Sequence, residues 1–115
     1  MIGDQFFKTP ASWIFRVTSL LILTVGLAHA GDPAAGKTNA GACAACHGAL
    51  GLSQLPNAPN LAGQPAIYLT EQLKNYRSGK RQHEMMSIIA KPLSDQQIDD
   101  LGAWYASIRI AITEK

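Results

Sequence analysis

Cys43-Ala44-Ala45-Cys46-His47 decides how the rest of the chain is read. It holds the only two cysteines of the 115 residues, with a histidine directly behind the second. Cys-x-x-Cys-His is the attachment pattern of a c-type haem. One helical turn separates the thiols, so each can add to one of two neighbouring vinyl groups of a porphyrin. The next residue then falls under the iron, where an imidazole nitrogen can bind it. A thioredoxin-like redox pair would use the same two cysteines, but it belongs near a βαβ pattern, and no strand alternation runs through this chain. A structural zinc site would need a fourth ligand from afar. A bare disulfide leaves His47 without a reason. The expected cofactor is therefore one covalent haem c with its iron, held by Cys43 and Cys46 as thioethers and by His47 as proximal ligand.

Length and charge fit that reading. A chain with formal charge +2 is one small domain without a nucleic-acid signature. Residues 1–30 read as a secretory signal. Lys8 and Arg16 precede an apolar run from Val17 to Leu27, and Ala28-His29-Ala30 is a small-x-small cleavage site. The n-region is long and contains Asp4, which is untypical, and the rival is an uncleaved anchor. The apolar run has eleven residues. A span needs about 20, and Arg16 blocks extension backwards, so cleavage is favoured and no stable membrane insertion is expected after it. The remaining domain, 31–115, carries eight Lys/Arg and seven Asp/Glu. A domain this small has a limited core and often needs a staple or a cofactor. Export agrees with the motif, since bacteria attach haem c outside the cytoplasm.

Along the domain, Asp32-Pro33 is an N-cap followed by proline at the first helical position. A helix is expected through Ala34, Ala35, Lys37 and Ala40 towards Cys43. Gly36 and Gly41 cost helix propensity and are read as points of close approach by another helix. Three prolines and three glycines between Gly48 and Pro65 predict a long ordered loop wrapped on the proximal side of the haem. A ligand histidine commonly donates its second ring proton to a carbonyl, and Pro59 is suited to present one to His47. A second helix is expected from Pro65 to about Ser78, stopped by Gly79, with Leu69, Leu73 and Tyr76 as its inward stripe. Tyr68 and Gln72 flank that stripe, as a half-buried boundary or as propionate partners. Arg77, Lys80 and Arg81 suit the helix dipole, and one of them is a candidate propionate partner.

For the opposite face of the iron the candidates are Met85, Met86, His83, or no ligand. A methionine is more often core than ligand, but an electron-transfer haem has a second face to close. The last helix has the clearest signature. Ser94-Asp95-Gln96-Gln97 is a capping box, and Leu93 with Ile98 is a hydrophobic staple. Ile98, Leu101, Tyr105, Ile108 and Ile112 recur at helical spacing as a buried face. Gly102 is expected to admit another backbone, with Gly36 as its partner, and Trp104 is read as a flank of the core in preference to a cover on the haem edge.

The motif, the Pro-Asn-Ala-Pro-Asn-Leu-Ala-Gly-Gln run at 56–64, Tyr-Leu-Thr-Glu-Gln-Leu at 68–73, and Met86 through Leu93-Ser94-Asp95 to Trp104-Tyr105 come in a familiar order. Together they resemble a small class I cytochrome c, closest to the single-haem lobes of periplasmic dihaem cytochromes and their monohaem relatives. The resemblance implies an all-α fold of three to four helices wrapped around one covalent haem. In that family the axial methionine stands seven residues before the leucine of the Leu-Ser-Asp cap, which selects Met86. The proline matching Pro59 accepts the histidine N–H. The first and last helices cross at a glycine–aromatic contact, which would be Gly36 near Tyr105. One departure is the lack of a second Cys-x-x-Cys-His, so two haems are excluded. His83 near Met86 leaves the sixth ligand open to a rival.

The functional expectation is a periplasmic electron carrier with His47 and Met86 on the iron. Its redox-partner proteins would dock transiently. No catalytic base, nucleophile or phosphate loop is visible, so the chain is not expected to be an enzyme by itself. Two alternatives stand beside this: a haem subunit relaying electrons inside a larger dehydrogenase or oxidase complex, and a ligand-binding haem sensor with an open sixth position.

Overall fold

The computed structural model describes residues 30–114. The signal reading of the first 30 residues lies outside them except for Ala30. Five helices follow in order: α1 Pro33–Asn39, α2 Gly41–His47, α3 Ala66–Ser78, α4 Met86–Ala90 and α5 Asp95–Ser107. Among the described residues there is no strand, and no helix is long and apolar enough to cross a membrane. The all-α architecture is as expected. The described residues form five helices because the first expected helix is broken and because α4 arises where none was foreseen.

The break falls at Ala40. Its N–H reaches back only three residues, to Lys37, and its carbonyl then accepts from both Cys43 and Ala44 to start α2. The start of α1 is as the sequence signals: the Asp32 side chain accepts from Ala34 N–H and Pro33 opens the helix. A second tie was not signalled. The buried Asp100 carboxylate accepts at Oδ1 from Asp32 N–H and from Gln96 Nε2, both at 2.8 Å. This fastens the first turn of α1 to α5 and satisfies a carboxylate that would otherwise be costly to bury.

α1 packs across α5, and α3 packs on the same helix. The α1 crossing is closest at Gly36. A β-carbon there would lie 2.0 Å from the Asp100 carbonyl oxygen and 2.7 Å from Trp104 Cβ. The aromatic at this crossing is thus Trp104, where the resemblance implied Tyr105. Gly102 does not face Gly36. A β-carbon on it would meet Thr70 Oγ1 at 2.7 Å and the Ala66 carbonyl oxygen at 3.1 Å, so its partner is α3. Gly41 admits nothing, since a β-carbon there has no neighbour within 4 Å; the close approach expected of it is absent.

α5 carries the full capping box, with Ser94 Oγ accepting from Gln97 N–H and Gln97 Oε1 accepting from Ser94 N–H. Ile98, Leu101 and Tyr105 are buried as the spacing predicts. Ile112 is not: the helix stops at Ser107, Ile108 turns extended, and Ile112 is 91% exposed. The Tyr105 carbonyl, which another turn would need, accepts instead from Ile108 N–H and from Gly63 N–H in the long loop. A tertiary bond therefore competes with helix propagation at the point where the helix ends.

Arg77 joins α3 to the start of α5. Its guanidinium donates to the Leu93 carbonyl and to Asp95, holding the Asp95 carboxyl below its ordinary range. Lys74 and Asp99 form a looser, partly exposed pair at 3.5 Å, a type that contributes little. The core is small. Ala40, Leu69, Leu101 and Tyr105 form its buried cluster, and Ile98 and Leu101 are the largest side chains fully enclosed among the described residues. Much of the remaining apolar surface of α2, α3 and α4 faces a common cavity instead.

Candidate functional site

The cavity has a volume of about 470 Å³. Cys43, Cys46 and His47 of α2 form one wall, and Met85, Met86 and Ile89 at α4 form another. Leu69, Leu73 and Tyr76, the predicted inward stripe of α3, line it between them, with Leu101 and Tyr105 of α5. Helical geometry explains the α2 wall, because positions i, i+3 and i+4 share one face. α2 therefore turns both thiols and the imidazole the same way. The thiols are not joined, and Cys46 is the more exposed of the two. Burial pushes the Cys43 thiol up from its ordinary pKa. Among the described residues no three His, Cys, Asp or Glu side chains gather as a metal cage.

His47 is buried, and its Nδ1 lies 2.7 Å from the Pro59 carbonyl oxygen. With the proton on Nδ1 donated there, Nε2 keeps its lone pair and can bind a metal. The loop fixes that carbonyl at both ends. Gly51 sits at φ +73°, and its carbonyl accepts from Leu61 and Ala62 N–H at 2.8 and 3.1 Å. A β-carbon at Gly51 would strike Ala62 N at 2.7 Å and the Tyr105 ring at 2.9 Å, so both the backbone angle and the space demand glycine. Ser53 Oγ donates to the Cys46 carbonyl, and Asn60 Oδ1 accepts from Ser53 N–H. The loop is thus tied to α2 on one side of Pro59 and to α5 on the other.

Met85 and Met86 both line the cavity. Met86 is half-buried, while Met85 is 52% exposed. His83 also lines it, but its Nδ1 already accepts from the backbone N–H groups of Met85 and Met86. The basic cluster divides. Arg77 is committed to Leu93 and Asp95, Lys80 is exposed and away from the lining, and Arg81 lines the cavity. Arg81 lies over the Tyr76 ring and donates to Gln72 Oε1 at 2.6 Å. Trp104 packs against the core with Lys37 over its ring, and is not part of the cavity wall. His83 as a backbone cap, Asp100 as a tie and Arg81 on Tyr76 carry no local pattern in the sequence, since each joins positions whose meeting depends on the fold.

The cytochrome c family model matches residues 33–108. The chain belongs to the cytochrome c family. Cytochrome c4 of Pseudomonas aeruginosa is 46% identical over 96 residues, which are 80% of this chain and 48% of that protein. Cytochrome c-554(548) of Halomonas halodenitrificans is 46% identical over 81 residues, covering 68% of this chain and 98% of that protein. The solved structure of reduced recombinant cytochrome c4 from Pseudomonas stutzeri superposes with a TM-score of 0.66 at 38% identity, over 70% of this chain and 47% of that one. This cytochrome c thus spans about half the length of the cytochrome c4 proteins and nearly all of the Halomonas one.

A cytochrome c domain carries covalent haem c, and the residues present fit it. The cavity is lined mainly by apolar side chains, together with the His47 imidazole, the Met85 and Met86 thioethers and the Cys43 and Cys46 thiols. That is the donor set of a Met/His haem site. The Tyr105 hydroxyl is buried at the cavity wall without a hydrogen-bond partner, although the Cys43 thiol is near. Desolvation first, and Cys43 second, push its pKa well above the ordinary phenol range.

Proposed function

We propose that this cytochrome c is a periplasmic electron carrier whose iron is held by His47 and Met86. Cys43 and Cys46 would anchor the porphyrin, and Pro59 would fix the proximal imidazole. The observation that carries this reading is the pairing of walls. The imidazole, locked at 2.7 Å to a carbonyl, and the half-buried Met86 border one apolar cavity. When bound, the haem supplies a one-electron iron couple. The protein's part would be to hold the His47 imidazole and the Met86 thioether in place in either redox state, so that little rearrangement accompanies electron exchange. Pro59 holds the His47 ring and its tautomer. Leu69, Leu73 and Leu101 exclude water from the cavity, and Arg81 with Gln72 offers polar contacts for a propionate at its edge.

Leu55, Tyr68 and Met85 line the cavity and are each about half exposed. A small apolar rim of this kind suits transient docking of a redox partner. The periplasm is proposed from the signal reading of residues 1–30 together with the export that haem attachment requires.

Carbon monoxide tests the closed sixth position. The reduced protein should change its visible spectrum little on exposure to the gas, because the Met86 sulfur would already hold the iron. Stoichiometric carbon monoxide binding would instead support an open-site sensor.

A further inference from the structure

α4 is the shortest of the five described helices, with five residues, yet it begins at Met86. A helix of that length does not hold itself together in water. Its two leading amides are held by one side chain. The N–H groups of Met85 and Met86 both donate to His83 Nδ1, at 3.3 and 3.4 Å. The backbone of His83 completes the turn, since its N–H donates to Ser87 Oγ at 3.1 Å and its carbonyl accepts from Ser87 N–H at 2.9 Å. An acceptor at Nδ1 leaves the ring proton on Nε2. The imidazole is itself braced, with its edge against the Tyr76 ring at a centroid distance of 6.5 Å and an interplanar angle of 75°. Tyr76 lies on α3 and is covered by the Arg81 guanidinium at 4.7 Å, which is in turn bonded to Gln72. A continuous set of contacts therefore runs from the body of α3 to the Met86 backbone.

We propose that His83 is a positioning residue, which caps the turn carrying Met86 and, braced on Tyr76, fixes the distal ligand over the iron. The inference rests on Met86 being that ligand. It assigns His83 a task other than the rival one of binding iron itself. Its Nδ1 is spent on the two amides, and Nε2 carries the proton. A loosened cap would let the sulfur leave the iron more often, so a competing ligand would enter more easily while the coordinated state kept its spectrum.

The test uses haem-loaded His83→Ala, His83→Asn and Met86→Ala beside the unaltered protein. Asparagine is chosen because its side-chain oxygen can accept from the same two amides, as at ordinary helix starts. Imidazole affinity of the oxidised form and hydrogen exchange at the Met85 and Met86 amides are read together. His83→Ala should raise both by about three- to tenfold, the size of a lost cap. It should keep the sulfur-to-iron absorption when no imidazole is added. His83→Asn should bring both quantities back to within about twofold of the parent. Unchanged imidazole affinity in His83→Ala overturns the proposal, as does a rise that asparagine fails to reverse. Met86→Ala separates the layers. If it keeps the sulfur absorption, the ligand assignment is at fault and the proposal falls with it; if it loses that absorption while His83→Ala matches the parent, the positioning role alone is refuted.

Discussion

Gly36→Ala should lower the melting temperature of the haem-loaded protein by about 10–20 °C, corresponding to about 3 kcal/mol in a domain of this size. The added β-carbon would stand 2.0 Å from the Asp100 carbonyl oxygen and 2.7 Å from Trp104 Cβ. Neither is the free end of a side chain, so α1 and α5 must part. Parting them also pulls at the bond from Asp32 N–H to Asp100. Alanine gains about 1 kcal/mol of helix propensity over glycine, but the steric cost of overpacking is larger. Gly41→Ala is the control. Nothing lies within 4 Å of its β-carbon, so the same substitution should be neutral or raise stability by up to about 1 kcal/mol. Thermal unfolding followed at the haem band checks both. Equal effects at the two glycines would contradict the packing described here.

Met86→Ala should abolish the sulfur-to-iron charge-transfer absorption of the oxidised protein, lower its reduction potential and open it to carbon monoxide when reduced. Met85→Ala should keep the absorption. The contrast follows from position: both side chains border the cavity, but Met86 begins α4 and is half-buried, whereas Met85 is 52% exposed at the rim. Exchange of a thioether for water or nitrogen removes the ligand that favours the reduced iron, so the potential moves down. Visible spectra and a redox titration of the two variants decide the matter. Loss of the absorption in Met85→Ala with retention in Met86→Ala would reverse the assignment.

Local chemistry explains which parts of the fold were legible in the sequence. The start of α5 was readable because a capping box and a staple need only neighbours in sequence, Ser94 with Gln97 and Leu93 beside Ile98. Asp32-Pro33 and Gly79 marked helix ends for the same reason. The end of α5 was not readable. Ile112 continues the apolar period on paper, but the Tyr105 carbonyl is taken by Gly63, which lies far away in sequence. Gly36 and Gly102 each advertise a close approach without naming the neighbour, and the structure gives them to different helices. α4 left no signal, because its two leading amides are held by a histidine and not by a residue from the common capping set.

The site was more legible than its surroundings. Cys43, Cys46 and His47 share a face of α2 because their spacing is one helical turn, and all three line the cavity. Pro59 was picked out by its backbone chemistry, and its carbonyl lies 2.7 Å from the His47 ring. The order along the chain could not place Arg81 on Tyr76 or Arg77 on Asp95. Those contacts depend on how α3 meets the segments that follow it.

The most direct measurement is an alkaline pyridine haemochrome spectrum, with an intact mass, of protein recovered from the periplasm. One haem per chain, joined through two thioether links at Cys43 and Cys46, is the predicted result. A colourless protein whose two sulfurs are free, bridged to each other or bound to zinc would contradict the account.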